Sequence, residues 1–163
     1  MMKIIYKRGD ILEAGEKFIC HGCNARGKMA SGIAGQIRKK RPVAYEAYMA
    51  EFEKNGLPLG KTIWAGDADG WIINAITQEN YGRDAPLGVV YFSYAAVELA
   101  VNDINRVAEE SQRDGTEANI KYGRIETVAF PLIGAGLAGG DWSLISNIIE
   151  SKSTSFQPLV YKL

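Results

Sequence analysis

The residues able to do chemistry gather in one stretch. Phe18-Ile19-Cys20 is an apolar run of the kind that forms a buried strand, and it delivers His21, Cys23 and Asn24 to the strand's carboxyl end. Arg26, Gly27, Lys28, Met29, Ala30, Ser31 and Gly32 follow, and backbone amides among such small or flexible residues can turn inward on a bound anion. Ile33, Ala34 and Ile37 then carry the apolar stripe of a helix. A strand, a loose turn and a helix start in succession put unpaired amides and the positive end of the helix dipole on one spot, which is phosphate-binding chemistry. Neither GxGxxG nor GxxxxGK followed by Ser or Thr occurs there, so a Rossmann or P-loop reading does not fit.

A second stretch repeats the plan roughly a hundred residues on: Thr127 to Ile133 reads as a buried strand running into Gly134-Ala135-Gly136-Leu137-Ala138-Gly139-Gly140-Asp141. In an open α/β sheet ligands bind beyond the carboxyl ends of the strands, so both turns are expected over one cleft, facing a diphosphate from two sides. Glycines that serve only tight turns are the plainer alternative. His21 is the only histidine, and its ordinary pKa near ~6.5 lets it give or take a proton at neutral pH. Cys20 and Cys23 form a CxxC pair, but no second ligand pair exists to complete tetrahedral zinc, so no metal is expected. A redox role for the pair remains open.

Behind these residues the chain alternates strands and helices. Lys3 to Lys7 reads as a first strand that ends at Gly9-Asp10-Ile11-Leu12. Pro42 opens a helix closed by Asn55-Gly56. Lys61 to Ala65 and Trp71 to Thr77 are strands joined by Gly66-Asp67-Ala68-Asp69-Gly70, which is hairpin chemistry. Helical spacing runs from Tyr91 to Arg113, Thr116 to Arg124 reads as an irregular excursion, another helix starts near Trp142, and Pro158 to Lys162 is a last strand. The alternation predicts an α/β fold, a sheet with helices on both faces, in one domain over residues 1–163.

Composition sets the outer bounds. Forty-seven per cent hydrophobic and 23% charged residues over 163 positions are enough for a real core without staples. Nineteen acidic residues balance nineteen Lys and Arg, so bulk nucleic-acid binding has no support beyond a local cluster at Arg38, Lys39, Lys40 and Arg41. Met1 to Tyr6 lacks a long apolar leader, and no run nears the roughly 18 apolar residues of a membrane span. A soluble cytoplasmic protein with no membrane partner is the expectation.

GDILEA (Gly9 to Ala14), CHGCNARGKMASGIA (Cys20 to Ala34) and PLIGAGLAGGDW (Pro131 to Trp142) together resemble the three signatures of the macrodomain, an ADP-ribose-binding module. The resemblance covers nearly the whole chain and is closest to the branch that includes ADP-ribose 1''-phosphate phosphatases and the small deacylating or antitoxin macrodomains. It implies a three-layer α/β/α sandwich around a central mixed sheet and a monomer without a cofactor. ADP-ribose or a derivative is the implied ligand, with nucleic acid a partner only as an ADP-ribosylated substrate.

The resemblance also implies roles. Asp10, after Gly9, would accept from the adenine amino group while the amide of Ile11 reads the neighbouring ring nitrogen; a turn cap is the bland alternative. Lys28, Met29, Ala30, Ser31, Gly32, Ile33 and Ala34 would form one phosphate loop, and Ile133, Gly134, Ala135, Gly136, Leu137, Ala138 and Gly139 the other. Asn24 would hold the hydroxyls of the distal ribose in the catalytic group with His21 and Asp141, which would assist water attack on the 1''-phosphate and departure of the sugar oxygen. A turn former is the plainer reading of a strand-end asparagine, and a structural role that of a lone histidine. Asp141 could equally cap the helix of Trp142. Relatives that work through a lysine carry a Thr-Lys pair where this chain has Thr77-Gln78, and some carry an aspartate at the position of Ala138, so a covalent lysine mechanism is disfavoured. Release of ADP-ribose from protein or nucleic acid, and non-catalytic binding, are the other readings. Gln78, Tyr81 and Arg83 are left between pocket wall and plain loop.

Overall fold

The computed structural model describes residues 1–80, 92–134 and 139–163. Six strands form one sheet: β1 (Ile5–Arg8), β2 (Phe18–Asn24), β3 (Thr62–Asp67), β4 (Gly70–Gln78), β5 (Thr127–Phe130) and β6 (Gln157–Lys162). Their order is β1-β6-β5-β2-β4-β3. Every neighbouring pair is parallel except β3 with β4, the hairpin that the Gly66 to Gly70 segment predicts, so the sheet is mixed.

The helices are α1 (Gly32–Lys40), α2 (Pro42–Asn55), α3 (Tyr94–Ser111), α4 (Glu117–Tyr122) and α5 (Trp142–Lys152). Successive residues of a strand point to opposite faces, and the cores sort accordingly. Phe18, Cys20, Ile73 and Ala75 pack with Val97, Val101 and Ile104 of α3 and Ile145 and Ile149 of α5. On the other face Ile19 and Ile72 pack with Ile37 of α1 and Ala44 of α2, and Cys23 and Ile76 with Tyr48 of α2. Helices on both faces of the sheet make the expected three-layer α/β/α sandwich.

Three expectations need adjusting. The excursion between Thr116 and Arg124 contains a short helix, α4, capped by the Thr116 hydroxyl on the Asn119 N–H. The Ala118 N–H also donates to Glu110 of α3, and the Asn119 side chain to the Ser111 carbonyl, so a neighbouring helix holds a turn that propensity alone would not. The long helix is described from Tyr94, after the Ser93 cap, and position 91 lies outside the described residues. The fifth strand stops at Phe130, because Pro131 has no N–H to continue a ladder.

Candidate functional site

The chain leaves β2 through α1 and α2 on one face of the sheet and leaves β5 toward α5 on the other, although β2 and β5 are parallel neighbours. Turns that follow adjacent strands and part to opposite faces open a crevice at the carboxyl rim. A cavity of about 300 Å³ lies there. Its walls are Gly22, Cys23 and Asn24 from β2, turn residues 28–34, Thr77 and Gln78 from β4, and residues 131–134 after β5. The two turns predicted from sequence are thus brought to one cleft, as far as Gly134; Ala135, Gly136, Leu137 and Ala138 lie outside the described residues, as do Tyr81 and Arg83.

Asn24 builds the first wall. Its Nδ2 donates to the Lys28 carbonyl at 2.7 Å, and its Oδ1 accepts the N–H groups of Arg26 at 3.0 Å and Lys28 at 3.3 Å. The buried Tyr48 hydroxyl adds contacts to the Asn24 carbonyl at 2.6 Å and to Oδ1 at 3.0 Å. The side chain that sequence assigns to a sugar is therefore spent on shaping the turn, with one N–H left over. Met29 is 1% exposed and packs its side chain into the α2-side core, so it offers the crevice backbone. At the start of α1, Ser31 occupies the N-cap position but its hydroxyl caps no N–H, unlike Ser93, Thr116 and Asp141 on their helices. The first-turn amides of α1, at the crevice, are left to whatever binds there.

The second wall is closed at its neck. The Gly140 N–H donates to the Gly134 carbonyl at 2.7 Å. Gly134 has φ +75°, and a Cβ there would stand 2.1 Å from the Phe92 ring; one on Gly140 would stand 3.1 Å from the same ring. Both glycines are thus required by close approach, at Gly134 by dihedral as well. Gly139 also has a positive φ, +78°. Phe92 meets Tyr94 edge-on at 5.6 Å, and the Tyr94 hydroxyl accepts the Asp141 N–H at 3.0 Å.

His21 is not brought to the crevice. It lies one residue below the rim on the α2 face, 0% exposed. Asn74 Nδ2 donates to the Ala44 carbonyl at 3.1 Å, which fixes Asn74 Oδ1 toward His21 Nε2 at 2.6 Å; since Oδ1 can only accept, Nε2 carries the proton. Cys23 Sγ lies 3.5 Å from the same nitrogen. Burial lowers the His21 pKa to about 4 against the opposing effect of the hydrogen bond it donates to Asn74, so the ring is neutral at pH 7 and acts as a tie between β2, β4 and α2. The proton-transfer role expected of it is corrected by this placement: no wall of the crevice is formed by His21.

Asp141 realises the capping alternative. Its Oδ1 accepts the Ser143 N–H and hydroxyl, both at 2.9 Å, where the second turn enters α5, and it stands outside the crevice walls. Gly9, Asp10 and Ile11 are also off the walls. Asp10 Oδ1 accepts the Leu12 N–H at 2.9 Å, and Lys40, at the far end of α1, stands 3.9 Å from its Oδ2. Eight helical steps separate Lys40 from Gly32, about 12 Å. Ile11 is a core residue. Cys20 and Cys23, three apart on β2, point to opposite faces, and burial raises both thiol pKa values, so the geometry of a CxxC redox pair is absent.

The wall residues that the sequence reading did not assign to the site are Gly22, Cys23, Thr77, Pro131 and Leu132, and Gln78, left open there, now stands on the wall. Hairpins and glycine turns announce themselves in sequence; the irregular register at Thr77 does not. In β2, pairing slips between Cys23 and Asn24, which face Ile76 and Gln78.

Comparison with known proteins adds an independent line. Residues 20–149 match the family model described as Macro domain. An uncharacterized 17.5 kDa protein of Enterobacteria phage T4 is 29% identical, with 98% of this chain and 96% of that one covered. An ADP-ribose 1''-phosphate phosphatase of Candida glabrata is 27% identical over 100% of both chains. A DNA ADP-ribosyl glycohydrolase of Mycobacterium tuberculosis is 28% identical over 96% of this chain, which spans only 39% of that protein. Among solved structures, the macrodomain of Mycobacterium tuberculosis DarG superposes with a TM-score of 0.75 at 25% identity, covering 100% of this chain and 99% of that one.

Proposed function

The chain belongs to the Macro domain family, and from that premise we propose that its rim crevice binds ADP-ribose and hydrolyses ADP-ribose 1''-phosphate to ADP-ribose and phosphate. One observation carries the reading: a turn held open by Asn24 and an α1 start whose serine caps no amide face the end of β5 across a single cleft. Amides fixed before the ligand arrives suit a diphosphate, because its charge is spread over several oxygens and no donor has to reorganise. Asp10 would take the adenine end, at the opposite end of α1 from the phosphate turn.

In the hydrolysis a water oxygen bonds to the 1''-phosphorus, the bond from phosphorus to the sugar oxygen breaks, and that oxygen leaves with a proton. With His21 neutral and sealed away, the proton work is assigned to Asp141, which stands beyond the crevice walls where the second turn enters α5, and positioning by the two turns supplies the larger part of the rate. Both kinds of named relative act on ADP-ribose derivatives, one on the 1''-phosphate and one on DNA. Gln78, on the crevice wall at the position where relatives that work through a lysine carry it, favours the phosphate substrate.

The test is calorimetry with ADP-ribose followed by phosphate release from ADP-ribose 1''-phosphate on the same sample. Heat and phosphate release are the expected results, with turnover reduced in Asp141→Ala. Heat without phosphate, together with release of ADP-ribose from modified DNA or protein, would move the activity to the second class. No heat at saturating ligand would end the reading.

A further inference from the structure

The slip between β2 and β4 isolates one residue. Cys23 pairs with Ile76 and Asn24 with Gln78, so Thr77 is the position the ladder skips. Such irregularities re-aim a side chain, and they concentrate beside functional sites. The Thr77 carbonyl accepts the Ser93 N–H at 2.8 Å, which anchors the backbone. Its side chain is 1% exposed, and Oγ1 is buried without a hydrogen-bond partner. Interiors pair nearly all of their buried polar atoms, so an orphan at the floor of a ligand crevice calls for a reason.

The surroundings supply one. A Cβ built on Gly22 would stand 2.7 Å from Thr77 Oγ1 and 3.1 Å from Ile133 Cγ1, so the hydroxyl and the Ile133 side chain share the space above Gly22, and all three residues line the crevice. The amide donors of the first turn and of α1 answer to negatively charged oxygens. A threonine hydroxyl is different: it donates and accepts, as a sugar hydroxyl does. The Asn24 side-chain oxygen is taken by Lys28, Arg26 and Tyr48 and one of its N–H groups by the Lys28 carbonyl, so a single N–H is all it keeps for a sugar.

Resting on the ADP-ribose reading, we infer that Thr77 Oγ1 is a specificity contact for a hydroxyl of the distal ribose, engaged when the ligand displaces the Ile133 side chain from above Gly22. The free protein keeps the hydroxyl unpaired and covered; the bound sugar completes it. A site built to pair a hydroxyl discriminates against ligands that lack one.

The experiment is calorimetry on the full chain with ADP-ribose and with ADP, which lacks the distal ribose, for wild type, Thr77→Val and Thr77→Ser. Valine keeps the shape and removes the hydroxyl. It should weaken ADP-ribose binding about 5- to 10-fold, the equivalent of one neutral hydrogen bond, and leave ADP binding unchanged. Serine keeps the hydroxyl and should bind ADP-ribose within about twofold of wild type. Unchanged ADP-ribose affinity in Thr77→Val, or an equal loss for ADP and ADP-ribose, overturns the inference while leaving the crevice reading intact. A wild-type protein that binds neither ligand overturns both. Should Thr77→Val fail to fold, the contrast between Thr77→Ala and Thr77→Ser, with ADP as the internal reference, reads the same hydroxyl.

Discussion

Acidification from pH 7.5 to 4.5 should destabilise this protein through its single histidine. His21 is fully buried as the neutral ring, with a pKa of about 4 against about 6.5 in the unfolded chain. Between those values the unfolded state binds a proton that the folded state refuses, so stability is complete above about pH 6.5, falls with decreasing pH, and levels off below about 4. The full difference of some 2.5 pKa units corresponds to roughly 3 kcal/mol, of which about 2 kcal/mol is gone by pH 5. Urea denaturation at half-unit pH steps measures it, and His21→Gln should flatten the slope between pH 5 and 7. Because the chain has one histidine, its ring gives one assignable NMR signal. A ring that titrates near 6.5, with stability flat across the same window, would refute the buried placement and return His21 to the list of proton-transfer groups at the cleft.

Two further outcomes follow from the cleft walls. Gly134→Ala forces a side chain into a positive φ and against the Phe92 ring, and should cost about 2–4 kcal/mol in urea unfolding; an unchanged midpoint would mean the neck of the second turn is not packed as described. Asn24→Ala removes the contacts to Lys28, Arg26 and the Tyr48 hydroxyl, so a loss of about 2–4 kcal/mol is expected together with weakened ADP-ribose binding, measured by melting and calorimetry on the same preparation. A loss below about 1 kcal/mol would contradict the account of Asn24 as the organiser of the turn.

Much of this arrangement is legible in the residues themselves. Glycine turns after apolar runs mark the carboxyl rim, Gly66 to Gly70 marks the antiparallel pair, and the alternation of elements marks the layered sheet. What sequence leaves open is which side of a strand a residue takes. His21 shares its face with Ile19 and Cys23, and strand parity alone places Cys20 opposite them, but parity does not say that α2 roofs that face. Nor does it reveal whether Asn24 looks outward to a ligand or inward to its own turn, because an asparagine meets both needs with the same groups. Thr77 is harder still: its orphaned hydroxyl arises from a one-residue slip in pairing, a property of two strands together. Asp141 was readable as a cap from its place before Trp142, and its contacts to Ser143 are those of a cap.

The aromatic ring at position 92 occupies the volume that side chains on Gly134 and Gly140 would need. Yet trimming the ring would free neither position, because Gly134 keeps its positive φ and a Cβ on Gly140 would still stand 2.6 Å from the Gly134 carbonyl. The dependence therefore runs one way across more than forty positions of chain: a library varying sites 92, 134 and 140 at once should retain glycine at the last two whatever residue it accepts at the first.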